Sequence, residues 1–178
     1  MTTFDCSTSE ELQCILDKII NNVVCHSCTK NKTKQIYLAG PWFTITSNML
    51  ENAAAAIYNN VSGNSQYVLF RPKLESKNSP EETYCGNIDA INNSDIIVAL
   101  ISEKDVGTAF EIGYARAKGK FVVLVGLDES DFERKTNLML AYASTCCTTI
   151  NNLWKIYTDD LDITKDCVIV NHTWRNIE

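Results

Sequence analysis

Two short segments of continuous apolar character constrain the fold of this chain most strongly. They occupy residues 94–101 (SDIIVALI) and 121–126 (FVVLVG). Strands with such continuous apolar runs are buried on both faces, which is typical of parallel sheets covered by helices on each side. The two segments therefore predict an α/β fold with a parallel sheet in its interior.

Strand-like and helix-like segments alternate along the central part of the chain. Further strands are predicted at residues 35–39, 66–70 and 147–150, and helices at residues 48–60, 84–93, 108–118 and 136–143. This alternation predicts a single doubly wound, mainly parallel five-stranded sheet flanked by helices. Ligands of such sheets bind beyond the carboxyl ends of the strands, where the strand order switches. The predicted crevice lies between residues 37–43, 100–107 and 125–131.

An additional amphipathic helix is predicted at residues 7–24, before the first strand. Its apolar residues follow helical spacing, and Ser7 with Glu10 forms a candidate capping box. A polar, basic segment follows and is typical of a linker. We therefore divide the chain into an N-terminal helical extension with its linker, a central α/β domain and a C-terminal extension, at residues 1–33, 34–150 and 151–178.

The composition favours a small ligand over a charged polymer or surface. The 178 residues carry a formal net charge of −6, whereas nucleic-acid polymers and anionic membranes bind basic surfaces. No apolar segment is long enough to span a membrane and no secretory signal is recognised, so a cytoplasmic protein is predicted. In that compartment the eight cysteines are expected to be reduced and mostly buried.

The common cofactor and metal motifs are missing from the sequence. It contains neither GxGxxG nor GxxxxGK[ST], and no HExxH. The two histidines, His26 and His172, lie in the linker and near the end, so a histidine-based triad is not predicted. Cys25 and Cys28 form a CxxC motif without a suitable second pair, which favours two ordinary thiols over zinc. No cofactor and no metal are expected, and carboxylate chemistry remains.

Asp105 and Glu111 are the candidate catalytic carboxylates. We expect Glu111 in the first turn of its helix, where free backbone N–H groups keep an anion ionised. A carboxylate pair suits cleavage of a bond to a sugar carbon, because the transition state resembles an oxocarbenium ion. A structural alternative stays open, because Thr108 and Glu111 match a capping box and Asp105 could be a turn residue.

Three segments of the chain resemble the nucleoside 2-deoxyribosyltransferase family. They are IYLAGPWF at residues 36–43, NSDIIVAL with DVGTAFEIGY at residues 93–100 and 105–114, and NLM at residues 137–139. The resemblance covers roughly residues 34–150 in the family's order. It implies exchange of the base of a deoxynucleoside for a free nucleobase, by a homo-oligomer that is dimer-based and commonly hexameric.

The resemblance also implies a role for each site residue. Glu111 would form a covalent deoxyribosyl ester, Tyr37 would position it, and Asp105 would hold a deoxyribose hydroxyl or help to protonate the base. Asn137 would reach the sugar in a neighbouring subunit's site. The remaining implied site residues line the base or approach the nucleophile: Gly40, Pro41, Trp42, Phe43, Gly107, Gly113 and Met139. For Tyr37, Trp42 and Phe43, plain burial is the alternative.

One position departs from the family pattern. Many relatives carry an aspartate in the helix before the third strand, as a candidate acid for the leaving base, and Asn87 occupies that place here. An amide can donate a hydrogen bond but cannot act as an acid. Base preference is therefore left open.

Two other functions are compatible with the same fold. Related hydrolases cleave deoxynucleoside 5′-monophosphates, but their Gly-Ser-x-Arg loop is replaced here by residues 39–43 (AGPWF). Arg71 and Lys73 could meet a phosphate, although solvated loop charges are the simpler expectation. A non-catalytic nucleoside or nucleotide sensor is the third candidate, and the set of Tyr37, Asp105 and Glu111 argues against it.

Overall fold

The structure is a computed structural model of the chain. It describes residues 9–23, 33–75, 78–101, 103–134 and 136–168. Several predicted features lie outside the described residues: Ser7 of the capping box, Cys25 and Cys28 of the CxxC motif, and both histidines.

Five strands form one parallel sheet, as the apolar segments predict. Their order in the sheet is β2-β1-β3-β4-β5. This arrangement confirms the predicted doubly wound fold, which flavodoxin-like and Rossmann-like proteins share. The order switches between β1 and β3, which pair from Ile36 with Ile96 to Ala39 with Ala99. The strands are β1 Lys34–Ala39, β2 Tyr67–Phe70, β3 Ile96–Leu100, β4 Phe121–Gly126 and β5 Cys146–Thr149.

Eight α-helices are found in the part of the chain that the structure describes. They are α1 Ser9–Asn21, α2 Ile45–Val61, α3 Pro80–Asn93, α4 Val106–Ala117, α5 Ser130–Arg134, α6 Leu138–Ala143, α7 Leu153–Thr158 and α8 Ile163–Asp166. Three helices begin earlier than predicted, because Thr44, Ser79 and Asp105 cap them. The short helices α5, α7 and α8 were not predicted, since four to six residues show too little of the helical period.

Helices cover both faces of the sheet. Alternate residues of β1 point to opposite sides, so Ile36 and Leu38 join a core with α1, α2 and α7. Tyr37 and Ala39 join the second core with α3, α4 and α5. The predicted N-terminal helix packs through Leu12 and Leu16, both of which are buried in the first core. The domain boundaries stay a prediction.

The expectation of reduced cysteines is wrong at one pair. Cys146 and Cys167 form a disulfide between β5 and the residue that follows α8. The pairing is possible because the chain returns along β5, where the Val168 N–H donates to the Cys147 carbonyl at 2.7 Å. Among the described thiols Cys147 is buried, whereas Cys14 and Cys85 are exposed.

Arg71 and Lys73 are not the solvated loop charges that we expected. Both follow β2 and bind Glu51 of α2, whose side chain is 3% exposed. Arg71 donates to both carboxylate oxygens at 2.7 Å, and Lys73 donates to Oε2 at 3.0 Å. Burial alone would raise the pKa of Glu51, but these hydrogen bonds and positive charges hold it below its ordinary value.

Candidate active site

The central contact of the candidate site joins β1 to α4. The fully buried Tyr37 donates its phenolic hydrogen to Glu111 Oε1 at 2.5 Å. Tyr37 lies near the carboxyl end of β1, beside the switch in strand order, and Glu111 approaches from the half-buried face of α4. The two residues therefore meet at the edge of the sheet where the sequence predicts the crevice.

Glu111 does not lie in the first turn of its helix. Because α4 begins at Val106, Glu111 is its sixth residue, beyond the free N–H groups that would favour an anion. Burial instead raises the pKa of Glu111 to about 7. The Tyr37 hydrogen bond opposes this shift, and the negative charge of Asp105 adds to it. The expectation that its helix position keeps Glu111 ionised at neutral pH is therefore wrong.

Asp105 is the cap of α4, and the predicted capping box of Thr108 and Glu111 is wrong. Asp105 Oδ2 accepts from the Thr108 backbone N–H at 2.6 Å and from the Thr108 hydroxyl at 2.7 Å. A Cβ at position 107 would lie 3.1 Å from the same oxygen, so Gly107 leaves room for the carboxylate. Gly113 has open space beside it, and the close approach expected there is not found.

Tyr37 is a permanent hydrogen-bond donor. Burial raises its pKa far above the ordinary value, and the neighbouring Glu111 carboxylate raises it further by charge and by hydrogen bonding. The phenol therefore stays protonated throughout the range in which Glu111 titrates. It can orient a carboxylate but does not supply a base.

The loop after β1 lies at the carboxyl end of the sheet, next to β3. Gly40 packs against β3, where a Cβ would lie 3.0 Å from Leu100 Cβ. Trp42 and Phe43 have ring centroids 5.3 Å apart. Phe43 is 75% exposed, so the alternative of plain burial fails for this residue, while Pro41 is buried and Trp42 half-buried.

Two residues at this edge were not singled out from the sequence. Glu103, in the loop after β3, accepts a hydrogen bond from the Thr44 hydroxyl and so joins the loops on either side of the crevice. Phe70, the last residue of β2, pairs with Tyr37 in the register and stacks on its ring. Only the strand register could have indicated Phe70, and no local pattern indicates Glu103.

The remaining predicted residues lie on α3 and at the start of α6. Asn87 is half-buried in α3. Asn137 caps α6 by accepting the Met139 N–H at 2.8 Å, and it is exposed. Met139 is 74% exposed, so within one chain it extends into solvent. The roles predicted for these three residues stay predictions.

The described residues contain neither a cluster of metal-ligating side chains nor a membrane-spanning helix. No group of three or more His, Cys, Asp or Glu side chains in them could hold a metal ion. No helix in them is long and apolar enough to cross a membrane.

Comparison with known proteins identifies one family. A sequence model of the nucleoside 2-deoxyribosyltransferases matches residues 36–139. The nucleoside deoxyribosyltransferase of Lactobacillus leichmannii is 33% identical over 123 residues, which span 60% of this chain and 78% of the relative. That of Lactobacillus johnsonii is 38% identical over 68 residues, or 37% of this chain and 45% of the relative.

The comparison of structures supports the same fold. The 2-deoxyribosyltransferase of Bacillus psychrosaccharolyticus aligns with a TM-score of 0.59 at 21% identity. The alignment covers 76% of this chain and 99% of the bacterial chain. At this identity the likeness shows a common architecture. The chemistry is inferred from the site geometry described above.

Proposed function

Because the chain belongs to the nucleoside 2-deoxyribosyltransferase family, we propose that it transfers the deoxyribosyl group of a 2′-deoxynucleoside to a second nucleobase. Its relatives are pentosyltransferases by name, and the described residues include the carboxylate such a reaction needs. The single observation that carries the proposal is the hydrogen bond from Tyr37 to Glu111 in the crevice.

Glu111 acts as the nucleophile. A carboxylate oxygen attacks C1′, the bond from C1′ to the base nitrogen breaks, and its electron pair leaves with the base. The product is an ester between Glu111 and deoxyribose. A second base then attacks C1′ and displaces the carboxylate, so the enzyme is regenerated. Tyr37 occupies one oxygen of Glu111 and leaves the other free for the attack.

The leaving base takes up a proton and the incoming base loses one. Asn87 cannot supply that proton, because a neutral amide is not an acid. Asp105 uses one oxygen to cap α4, and we propose that its other oxygen binds the sugar or moves the proton.

Replacing Asn87 by aspartate tests the base-facing role of this position. A changed ratio of deoxyinosine to thymidine turnover supports it, and an unchanged ratio places residue 87 outside the site.

We further propose that the active unit is a homo-oligomer built from dimers. Large apolar side chains are exposed beside the site, and Phe110 stacks on Tyr114 with centroids 6.1 Å apart. A single domain rarely leaves such a cluster open to solvent. The exposed members are Tyr84, Val106, Phe110, Met139 and Tyr142.

Mixing two inactive variants tests whether subunits share their sites. Glu111→Gln and Asn137→Ala homo-oligomers are each expected to be nearly inactive. A mixed dimer combines Glu111 of one subunit with Asn137 of the other, so exchange of subunits should restore activity. No recovery, in a mixture that light scattering shows to be oligomeric and exchanging, contradicts a shared site.

The 5′-monophosphate hydrolase is disfavoured by the charges after β2. Arg71 and Lys73, the cations that could meet a phosphate there, are both engaged by Glu51. The sensor alternative gains no support either, because a buried carboxylate with a raised pKa suits chemistry better than passive binding.

Product analysis is the decisive experiment. With deoxyinosine and free adenine, chromatography should show deoxyadenosine. No deoxyadenosine should form when adenine is left out. With deoxyinosine alone, mass spectrometry of the acid-quenched protein should show one added deoxyribosyl group on the peptide that contains Glu111. Glu111→Gln should lose both signals, while Glu10→Gln, at an exposed position of α1, should keep them. Hypoxanthine release at a rate independent of adenine, without a labelled peptide, would instead indicate a hydrolase.

A cytoplasmic location also remains our proposal, tested by fractionation of cells that express the protein.

A further inference from the structure

The ring of Phe70 covers the ring of Tyr37. Their centroids lie 5.5 Å apart and their planes differ by 14°, which is an offset stack. Phe70 is half-buried, whereas Tyr37 is fully buried. The two residues are direct partners in the register of β2 and β1, so their side chains extend to the same face of the sheet.

Phe70 occupies the outermost position beside the site. The strand order places β2 at an edge of the sheet, with Tyr37 one strand further in. On the other side of Tyr37, its register partner Ile97 of β3 is fully buried. Phe70 is therefore the strand residue that separates the Tyr37 ring from solvent at the β2 edge.

We propose that Phe70 is a positioning residue for deoxyribosyl transfer: its ring holds the Tyr37 phenol against Glu111 and keeps water away from their hydrogen bond. The inference rests on the proposed role of Glu111 as the nucleophile. Stacking on Phe70 limits the tilt of the Tyr37 ring, so the phenolic oxygen keeps its position beside Glu111. A hydrogen bond in a drier environment is also stronger.

Glu111 supplies an independent reporter of this role. Burial is the largest cause of its raised pKa, so water that enters beside Tyr37 should lower that pKa. The other groups that act on Glu111 are Tyr37 on β1 and Asp105 before α4. A weaker Tyr37 hydrogen bond would by itself raise the pKa of Glu111, whereas entry of water would lower it. Because burial is the larger of the two effects, the net shift is expected to be downward and reports the entry of water.

The test is an NMR titration of the Glu111 side-chain carboxyl in the free, full-length protein, assigned by its absence in Glu111→Gln. Phe70→Ala and the milder, strand-compatible Phe70→Val should lower the titration midpoint by about one pH unit. Phe70→Tyr keeps the ring and should leave the midpoint unchanged. Leu69→Ala is the matched control, because half-buried Leu69 packs on the opposite face of β2.

Kinetics should show the same ranking. In Phe70→Ala and Phe70→Val we expect kcat at high pH to fall roughly tenfold with little change in KM, because Tyr37 no longer aligns Glu111. The ratio of kcat/KM at pH 6 to that at pH 8 should rise about fivefold if the midpoint moves by about one unit.

The outcomes separate this inference from the proposed function. A midpoint that stays in place or rises in folded Phe70→Val, or that shifts equally in Leu69→Ala, overturns the proposed role of Phe70. A wild-type protein without exchange activity would refute the proposed function, yet the carboxyl titration would still show whether Phe70 keeps Glu111 dry.

Discussion

At the scale of single residues, folding and catalysis place opposite demands on the carboxyl group of Glu111. A nucleophile must be ionised, whereas a buried carboxyl is more stable when protonated. The raised pKa records this conflict, and the Tyr37 hydrogen bond limits it. With a pKa of about 7, ionised and protonated Glu111 are both present near neutral pH, so a usable share of the side chain is a poorly solvated carboxylate.

Replacing Glu111 by glutamine should abolish exchange and stabilise the fold at high pH. The folded pKa of about 7 exceeds the model-compound value of 4.5. The stabilisation that protonated Glu111 provides is therefore complete below pH 4.5 and is lost as the pH rises through about 7. Urea unfolding should show Glu111→Gln more stable than wild type by up to about 3 kcal/mol at pH 8. Equal stability at pH 8 would contradict a buried carboxylate.

Replacing Asp105 by asparagine should shift the acid limb of the activity profile. The asparagine oxygen can still accept the Thr108 N–H, so the cap of α4 is preserved. Loss of the negative charge should lower the pKa of Glu111 and move the fall in kcat/KM to lower pH. We expect slower exchange than in wild type but more than in Glu111→Gln. A limb that does not move would show that Asp105 has no electrostatic effect on Glu111.

At the scale of elements, the strands were predictable and the helix starts were not. Continuous apolar character indicated β3 and β4 without knowledge of their neighbours, and the alternation of strand-like and helix-like segments indicated the other three. All five strands lie within two residues of their predicted bounds. Helix starts depend on which side chain caps them, and Thr44, Ser79 and Asp105 each had competitors nearby. Asp105 and Glu111 were singled out from the sequence and their catalytic roles came from the resemblance, but their places as cap and buried acid depend on where α4 begins.

Contacts between elements could not be predicted from local sequence patterns. Glu51 binds cations about twenty residues away, and no periodicity links a helix position to the loop after the next strand. The same holds for Phe70 and Tyr37, which are brought together only by the register. The disulfide likewise depends on the return of the chain along β5.

The buried ion cluster should hold the start of α2 to the loop after β2. Glu51→Gln leaves Arg71 and Lys73 partly buried without their counter-charge, so we expect a loss of about 2–3 kcal/mol in unfolding free energy. Asp162→Asn is the control, because its pair with Lys165 is largely exposed and should contribute far less to stability. Similar losses in both variants would show that the cluster is not a special constraint.

At the scale of the whole molecule, the disulfide ties the end of the described chain to the sheet. Cys146 and Cys167 are 21 residues apart and enclose α7, which packs on α2 through Tyr157 and Tyr58. The disulfide therefore links β5 to the segment that follows α7, so β5, α7 and α2 stabilise one another on the face of the first core.

Replacing Cys167 by serine should lower the unfolding free energy by about 3 kcal/mol, as expected for a closed loop of this length. Wild-type protein in a thiol reductant should behave like the variant, and Cys85→Ser, at an exposed thiol, should match untreated wild type. Denaturant midpoints measured with and without reductant provide the check. A reductant-insensitive wild type would mean that the disulfide does not contribute to stability.

The covering of β5 has a consequence for how copies of this chain can associate. Residues 166–168 run along the outer side of β5. The Thr148 hydroxyl donates to the Asp166 carbonyl, and the Val168 N–H donates to the Cys147 carbonyl. Open-ended growth of a sheet from chain to chain needs two free edges on every copy, and among the described residues β2 is the end strand without a second strand partner. Strand pairing between copies through this sheet would therefore join two sheets edge to edge at β2 and stop there.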